Sequence, residues 1–158
     1  MFRKMRRIEQ QTSNEECVRL LKEQPRGVLS MLGDEGYPYG IPLDHWYSEK
    51  DNAIYFHCAK TGHKIDAVAA CDKVSYCVID EGSRKEGDWA LTFTSVVVFG
   101  RMSTVEDDDK KREICRNLTS KFTDDEEFFE RIMARAFPAL NCLELKIEHM
   151  TGKKVYEK

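Results

Sequence analysis

Most of the residues able to do chemistry crowd into twelve positions, Tyr55-Phe56-His57-Cys58-Ala59-Lys60-Thr61-Gly62-His63-Lys64-Ile65-Asp66. An alternating apolar run passes through a Gly-containing loop into a helical pattern with Lys64 in its first turn. Unpaired amides at a helix start, the positive end of the helix dipole and the Lys64 ammonium together suit a phosphate. An ordinary solvated helix start carries the same residues, so spacing alone leaves both readings open. His57 belongs to the run itself, where alternation puts Tyr55, His57 and Ala59 on one face. A hydrogen-bonded core histidine and a proton-handling one both fit that position. Asp44 adjoins His45, which formally allows a carboxylate–imidazole relay, yet nothing in the spacing marks a nucleophile. Thr92, Thr94 and Ser95 bring hydroxyls that can complete a phosphate site or simply occupy a strand. The six cysteines (17, 58, 71, 77, 115 and 142) never form C-x-x-C, and only Cys58 with His57 or His63 approaches ligand spacing. Reduced, buried thiols and no metal are expected.

Elements must hold these residues in place. Ser13 and Glu16 have capping-box spacing, and Cys17, Leu20 and Leu21 form a narrow stripe, which predicts a helix to about Glu23 before Pro25. Residues 1–11 read as a basic arm with cations at Arg3, Lys4, Arg6 and Arg7. Val28 to Leu32, the turn Gly33 to Gly36, and the aromatic segment Tyr37 to Tyr47 with Pro38 and Pro42 read as a hairpin. Ala53 to Cys58 follows as a third strand, and the short connections predict an antiparallel meander. A two-turn helix over 63–70 with Ile65, Val68 and Ala69 on one face comes next, then a strand over Val74 to Ile79 and a charged loop over Asp80 to Asp88. Leu91 to Val105 is the longest β run, with Gly100 as its bulge. Helices over 106–121 and 125–136 precede a closing strand over Cys142 to Ile147.

The chain has 158 residues, 41% of them hydrophobic and 34% charged, which predicts one soluble domain over 1–158. With 25 Lys plus Arg against 28 Asp plus Glu, the net charge of −3 gives no general grip on nucleic acid. No apolar run reaches membrane-spanning length and no signal peptide opens the chain, so a cytoplasmic protein with no membrane partner is expected. The element order fits a mainly β fold, a small antiparallel barrel of six or so strands with peripheral helices. No G-x-G-x-x-G or P-loop spacing is present.

Four segments carry a resemblance: Gly36-Tyr37-Pro38-Tyr39-Gly40-Ile41-Pro42-Leu43, the stretch Tyr55 to Asp66, Ser95-Val96-Val97-Val98-Phe99-Gly100, and Thr151-Gly152-Lys153. From about Met5 to Lys153 the chain resembles the pyridoxamine 5′-phosphate oxidase-like FMN-binding split barrels, in particular the 5-nitroimidazole-resistance branch. The resemblance implies a homodimer with FMN at the interface and Ile41, Pro42 and Leu43 along the flavin ring. It implies His63, Lys64 and Ser95 beside the phosphate, Phe56 and Val96 among the cofactor contacts, and His57 as catalytic residue near the ring. The implied activity is an FMN-dependent oxidoreductase in which reduced flavin gives electrons to a nitro group of a small molecule and a protonated His57 or water supplies protons. The other implied role is a non-catalytic flavin- or haem-binding protein on the same barrel. The arginine-rich substrate site of a vitamin B6 oxidase is not seen. The aromatic segment with Tyr37, Tyr39, Trp46 and Tyr47 also reads as too apolar for one subunit to cover, which favours a dimer.

Overall fold

Ser13 does cap a helix: in the structure, a computed structural model describing residues 1–156, its hydroxyl accepts the Glu16 amide at 3.2 Å and opens α1 (Asn14–Glu23). Cys17, Leu20 and Leu21 of α1 are buried against the sheet. Burying each of the two leucines is worth about 1.5–3 kcal/mol.

Seven strands form one antiparallel sheet: β1 (Arg26–Leu32), β2 (Pro38–Asp44), β3 (Trp46–Ser48), β4 (Ala53–Ala59), β5 (Lys73–Ile79), β6 (Phe93–Thr104) and β7 (Leu140–Val155). Their order across the sheet is β2-β1-β5-β6-β7-β4-β3. The β1–β2 hairpin is as expected, but it does not continue into a meander. β1–β2 and β3–β4 stand at opposite ends of the sheet, because the aromatic segment breaks at His45 instead of running through to Tyr47.

His45 is where the break is anchored. It is fully buried, and its Nε2 lies 2.8 Å from the Leu21 carbonyl, which can only accept, so Nε2 carries the proton. Nδ1, left as an acceptor, lies 3.0 Å from the Tyr76 hydroxyl, whose single proton also has the Leu43 carbonyl within reach at 2.7 Å. One imidazole thus joins α1, β5 and the end of β2.

The curled sheet wraps a core of Leu29, Ile54, Phe56, Tyr76, Val78, Val96, Val98, Leu143 and Leu145. A second core, around Ala53, Tyr55, Ile114, Cys115, Leu118, Phe129, Met133 and Cys142, lies between the outer side of β4–β7 and the helices α3 (Asp108–Thr119) and α4 (Glu126–Ala136). Arg112 and Arg116 of α3 pair with Glu126 and Glu130 of α4, exposed contacts worth about 0–1 kcal/mol apiece. Lys110 ties α3 to the sheet through Asp51 at 2.8 Å, with its ammonium over the rings of Trp46 and Tyr55. The register shifts between Phe99 and Gly100, as the sequence predicts, and a β-carbon at Gly100 would run into the Lys146 carbonyl.

Other expectations need correction. β7, at 16 residues, exceeds the 12 of β6 and runs well past Ile147, since its polar residues alternate outward. In α2 (His63–Ala70) the buried residues are Ala67 and Val68, with Ile65 half-buried and Ala69 exposed. The basic arm is not simply solvated: Phe2 stacks on His149 at 4.5 Å, and Gln11 bridges to Lys153. The aromatic segment is largely covered within the chain, as Tyr47 is buried, Tyr39 stacks on His63 and Trp46 on Tyr55; Tyr37 alone of the four is exposed. The outer sheet face also leaves Val28, Leu32, Ile79 and Phe99 exposed, beside the exposed Cys77. No helix among the described residues is long and apolar enough to cross a membrane.

Burial pushes the His45 imidazole down to about 3. A free histidine titrates near 6.5, so between these values the unfolded chain binds more protons than the folded one, and stability falls as pH drops from 6.5 toward 3 by up to about 1.4 kcal/mol per unit. Denaturant unfolding of His45→Gln is expected to show lower stability than wild type at pH 7.5 and a shallower loss between pH 6 and 4.5.

Candidate functional site

β3 is three residues long and pairs only with Ala53 to Tyr55, so one edge of β4 from Phe56 to Ala59 has no strand partner beside β3. β2, at the other end of the sheet, also has a free edge, and Pro38 and Pro42 bring no amide to it. The two free edges approach each other and leave a seam in the barrel. Asp44 at the end of β2 and His57 on β4 line one pocket there.

α2 opens at the side of this seam. Gly62, at φ 125°, turns the chain from β4 into the helix without a capping side chain, a conformation natural to glycine. His63 stacks on Tyr39 at 4.1 Å, and its Nε2 lies 3.5 Å from the Asp34 carboxylate, so the helix start is docked against the β1–β2 hairpin. Lys64 is half-buried, close enough to act electrostatically on both His57 and Cys58.

His57 projects from the outer side of β4, toward α3 and α4. Its pocket, of about 290 Å³, is walled by Leu118, Phe122, Ile132, Met133, Ala136 and Leu140, with Thr119 and the Cys115 thiol on its lining. These walls desolvate the imidazole and hold it below its ordinary value; the Asp44 carboxylate pulls the other way, and Lys64 adds to the lowering. His57 itself is exposed on β4, so the walls favour the uncharged ring without removing it from solvent. Lys121, between α3 and α4, donates to the Gln24 carbonyl at 3.0 Å, and burial brings its amine down to about 8.

The structure joins some of the sequence-predicted residues and separates others. His57, His63 and Lys64 gather at the seam, flanked by Ile41, Pro42 and Leu43 on β2, of which Pro42 is exposed and the other two half-buried. Phe56 and Val96 are fully buried in the barrel core, so their side chains do not reach the seam. Ser95 stands on the outer sheet face opposite Ile79, at the far end of β5 from Lys73, where the chain leaves α2. A single chain does not bring Ser95 to Lys64.

The sequence offers Asp44 only as a relay partner for His45, whose ring nitrogens instead meet the Leu21 carbonyl and the Tyr76 hydroxyl, and it does not mark Phe122 or Ile132. A hint existed in the exposed apolar positions that the α3 and α4 patterns leave over, but which strand those helices cover cannot be read locally. Among the described residues no cluster of three or more His, Cys, Asp or Glu could hold a metal ion.

Solved structures of the same fold include a candidate 5-nitroimidazole antibiotic resistance protein from Bacteroides thetaiotaomicron, 17% identical, with a TM-score of 0.75 over 90% of this chain and 84% of that one. An FAD-binding protein from Mesorhizobium loti is 26% identical, with a TM-score of 0.70 over 92% and 97% of the two chains. A flavocytochrome from Azotobacter vinelandii is 20% identical, with a TM-score of 0.78 over 97% and 72%. No curated protein matches the sequence. The pyridoxamine 5′-phosphate oxidase family matches residues 13–154, from the α1 cap through nearly all of β7, and the chain belongs to that family.

Proposed function

We propose that the chain is an FMN-dependent oxidoreductase resembling the nitroimidazole-resistance reductases, acting on a small nitroaromatic or related substrate as a homodimer with FMN at the interface. The observation that carries this reading is the seam, which brings the free edge of β2, the imidazole of His57 and the α2 start with Lys64 to one place.

The residues present fit such a cofactor. Main-chain groups around Ile41, Pro42 and Leu43 have no strand partner on the seam side and can meet the polar edge of a flat ring. The half-buried Lys64 and the uncapped first turn of α2 suit one compact phosphate. Phe56 and Val96 would contribute through their main chain alone. Ser95 would come from a second copy seated on the outer face, where Val28, Ile79 and Phe99 leave apolar surface open.

Bound flavin supplies the electron transfer to the nitro group. The chain supplies the rest. Apolar side chains of α3 and α4 would lie against the substrate, Asp44 favours a proton on the nearby imidazole, and His57 would offer a ring N–H, with a full proton in more acid solution. A neutral imidazole among apolar walls is equally suited to ligating haem iron, the second reading. An absorption spectrum separates them, with flavin bands expected and a Soret band assigning haem.

Lys64→Ala is expected to weaken FMN binding tenfold to a hundredfold, the loss of one charge-assisted contact of about 1.5–3 kcal/mol; an unchanged titration removes Lys64 from the phosphate site. His57→Ala keeps FMN but loses single-turnover reoxidation of reduced flavin by a nitroaromatic. Because folding lowers the His57 value, the wild-type reoxidation rate should rise only as pH falls below about 6.5, and this rise should vanish in His57→Ala. Light scattering should give twice the 18.4 kDa chain mass for the flavin-loaded protein; a flavin-saturated monomer rules out the interface site.

A further inference from the structure

Two buried thiols meet in the core beneath α3 and α4, and nothing proposed for the seam uses them. Cys142 of β7 sits directly across from His57 of β4, so both side chains leave the sheet on the α3–α4 side. Cys115 of α3 comes down onto the same face and packs in one core with Cys142, Ile114, Leu118 and Met133. Both thiols are free. Cys17, also buried, belongs to the barrel core instead.

The two sulfurs are not equivalent. Hydrogen bonding from the Cys142 thiol, together with the nearby Arg112 guanidinium, holds Cys115 below the ordinary thiol range in spite of its burial. The same hydrogen bond and burial push Cys142 up, so Cys142 keeps its proton and Cys115 is the one to ionise. Cys115 is also the one within reach from outside, because it lines the space of about 290 Å³ beside His57, ample for a molecule as small as hydrogen peroxide. Nucleophile and resolving thiol thus stand side by side, with the nucleophile toward the opening.

We infer that Cys115 and Cys142 are a redox pair, which a hydroperoxide entering beside His57 closes into a disulfide that ties α3 to β7. The Cys115 thiolate attacks one peroxide oxygen; the S–O bond forms, the O–O bond breaks, and the departing hydroxide takes up the proton that Cys115 had lost. The Cys142 sulfur then attacks the Cys115 sulfenic acid, so the S–S bond forms, the S–O bond breaks, and a second water leaves with the Cys142 proton. Two thiols give up two electrons and two protons, and one hydrogen peroxide becomes two waters. The bond closes residues 115–142 into a loop and restrains the helical wall of the pocket. Neither flavin nor a nitro compound takes part, so the pair stands apart from the oxidoreductase reading.

The test is peptide mapping of the folded protein after brief exposure to hydrogen peroxide, with free thiols blocked by iodoacetamide during denaturation. Trypsin should release Glu113–Arg116 joined to Ala136–Lys146, two hydrogens lighter than the separate peptides together, and dithiothreitol should part them. Cys17 should be recovered alkylated. Amide exchange over α3 should slow about tenfold in the oxidised protein and recover on reduction. Cys142→Ser should stop Cys115 at the sulfenic acid, trapped by dimedone, and Cys115→Ser should leave Cys142 a free thiol; the wild-type map needs neither variant to fold. Recovery of Cys115 and Cys142 as free thiols, a bond from Cys142 to Cys58, or unchanged α3 exchange in the joined protein overturns the inference.

Discussion

The sheet does not close, and everything at the candidate site follows from that one failure of strand pairing. A closed barrel satisfies all its edges, but here β3 ends after three residues and β2 carries two prolines along the edge that would have to meet it. Unpaired main chain is costly to bury, so a seam of this kind is tolerated only where solvent, a ligand or another chain can satisfy it. The same break frees half of β4 on one side, gives His57 room and lets α2 start against the β1–β2 hairpin.

Holding a seam open needs rigid margins. His45 provides one, fixing α1, β5 and the end of β2 through a single buried ring. Lys110 provides another, joining α3 to β3 and β4 through Asp51, whose carboxyl the ammonium holds down at about 2. A buried histidine that cannot take up a proton suits the first task, since it keeps one tautomer and one set of partners across the ordinary pH range.

What could be read from the sequence was mainly what is decided locally. The Ser13 cap, the β1–β2 turn and the Gly100 bulge each depend on residues within a few positions, so their chemistry was visible. The helix start at His63 was legible for the same reason, and with it the placement of Lys64. Which edges meet was not visible, because turn chemistry reports that two strands pair but not where the pair joins the sheet; hence the predicted meander. The pocket was missed for a related reason. Asp44 and His57 are brought beside Phe122 and Ile132 by packing across more than sixty positions, and no periodicity in α3 or α4 names the strand beneath them. Phe56 and Val96 illustrate the converse: alternation alone puts them inside the barrel, and only the family resemblance drew them toward the cofactor.

The two hydrophobic cores share strands but hardly share side chains. Ile54, Phe56 and Leu143 face the barrel interior, while Tyr55 and Cys142, their neighbours in the chain, face α3 and α4. Substitutions on the two helices can therefore accumulate without disturbing barrel packing, as additive changes at separate sites do. Descendants of such a chain can change what they recognise by altering a helical pair while the scaffold beneath drifts independently, which makes this architecture evolvable in specificity before it is evolvable in shape.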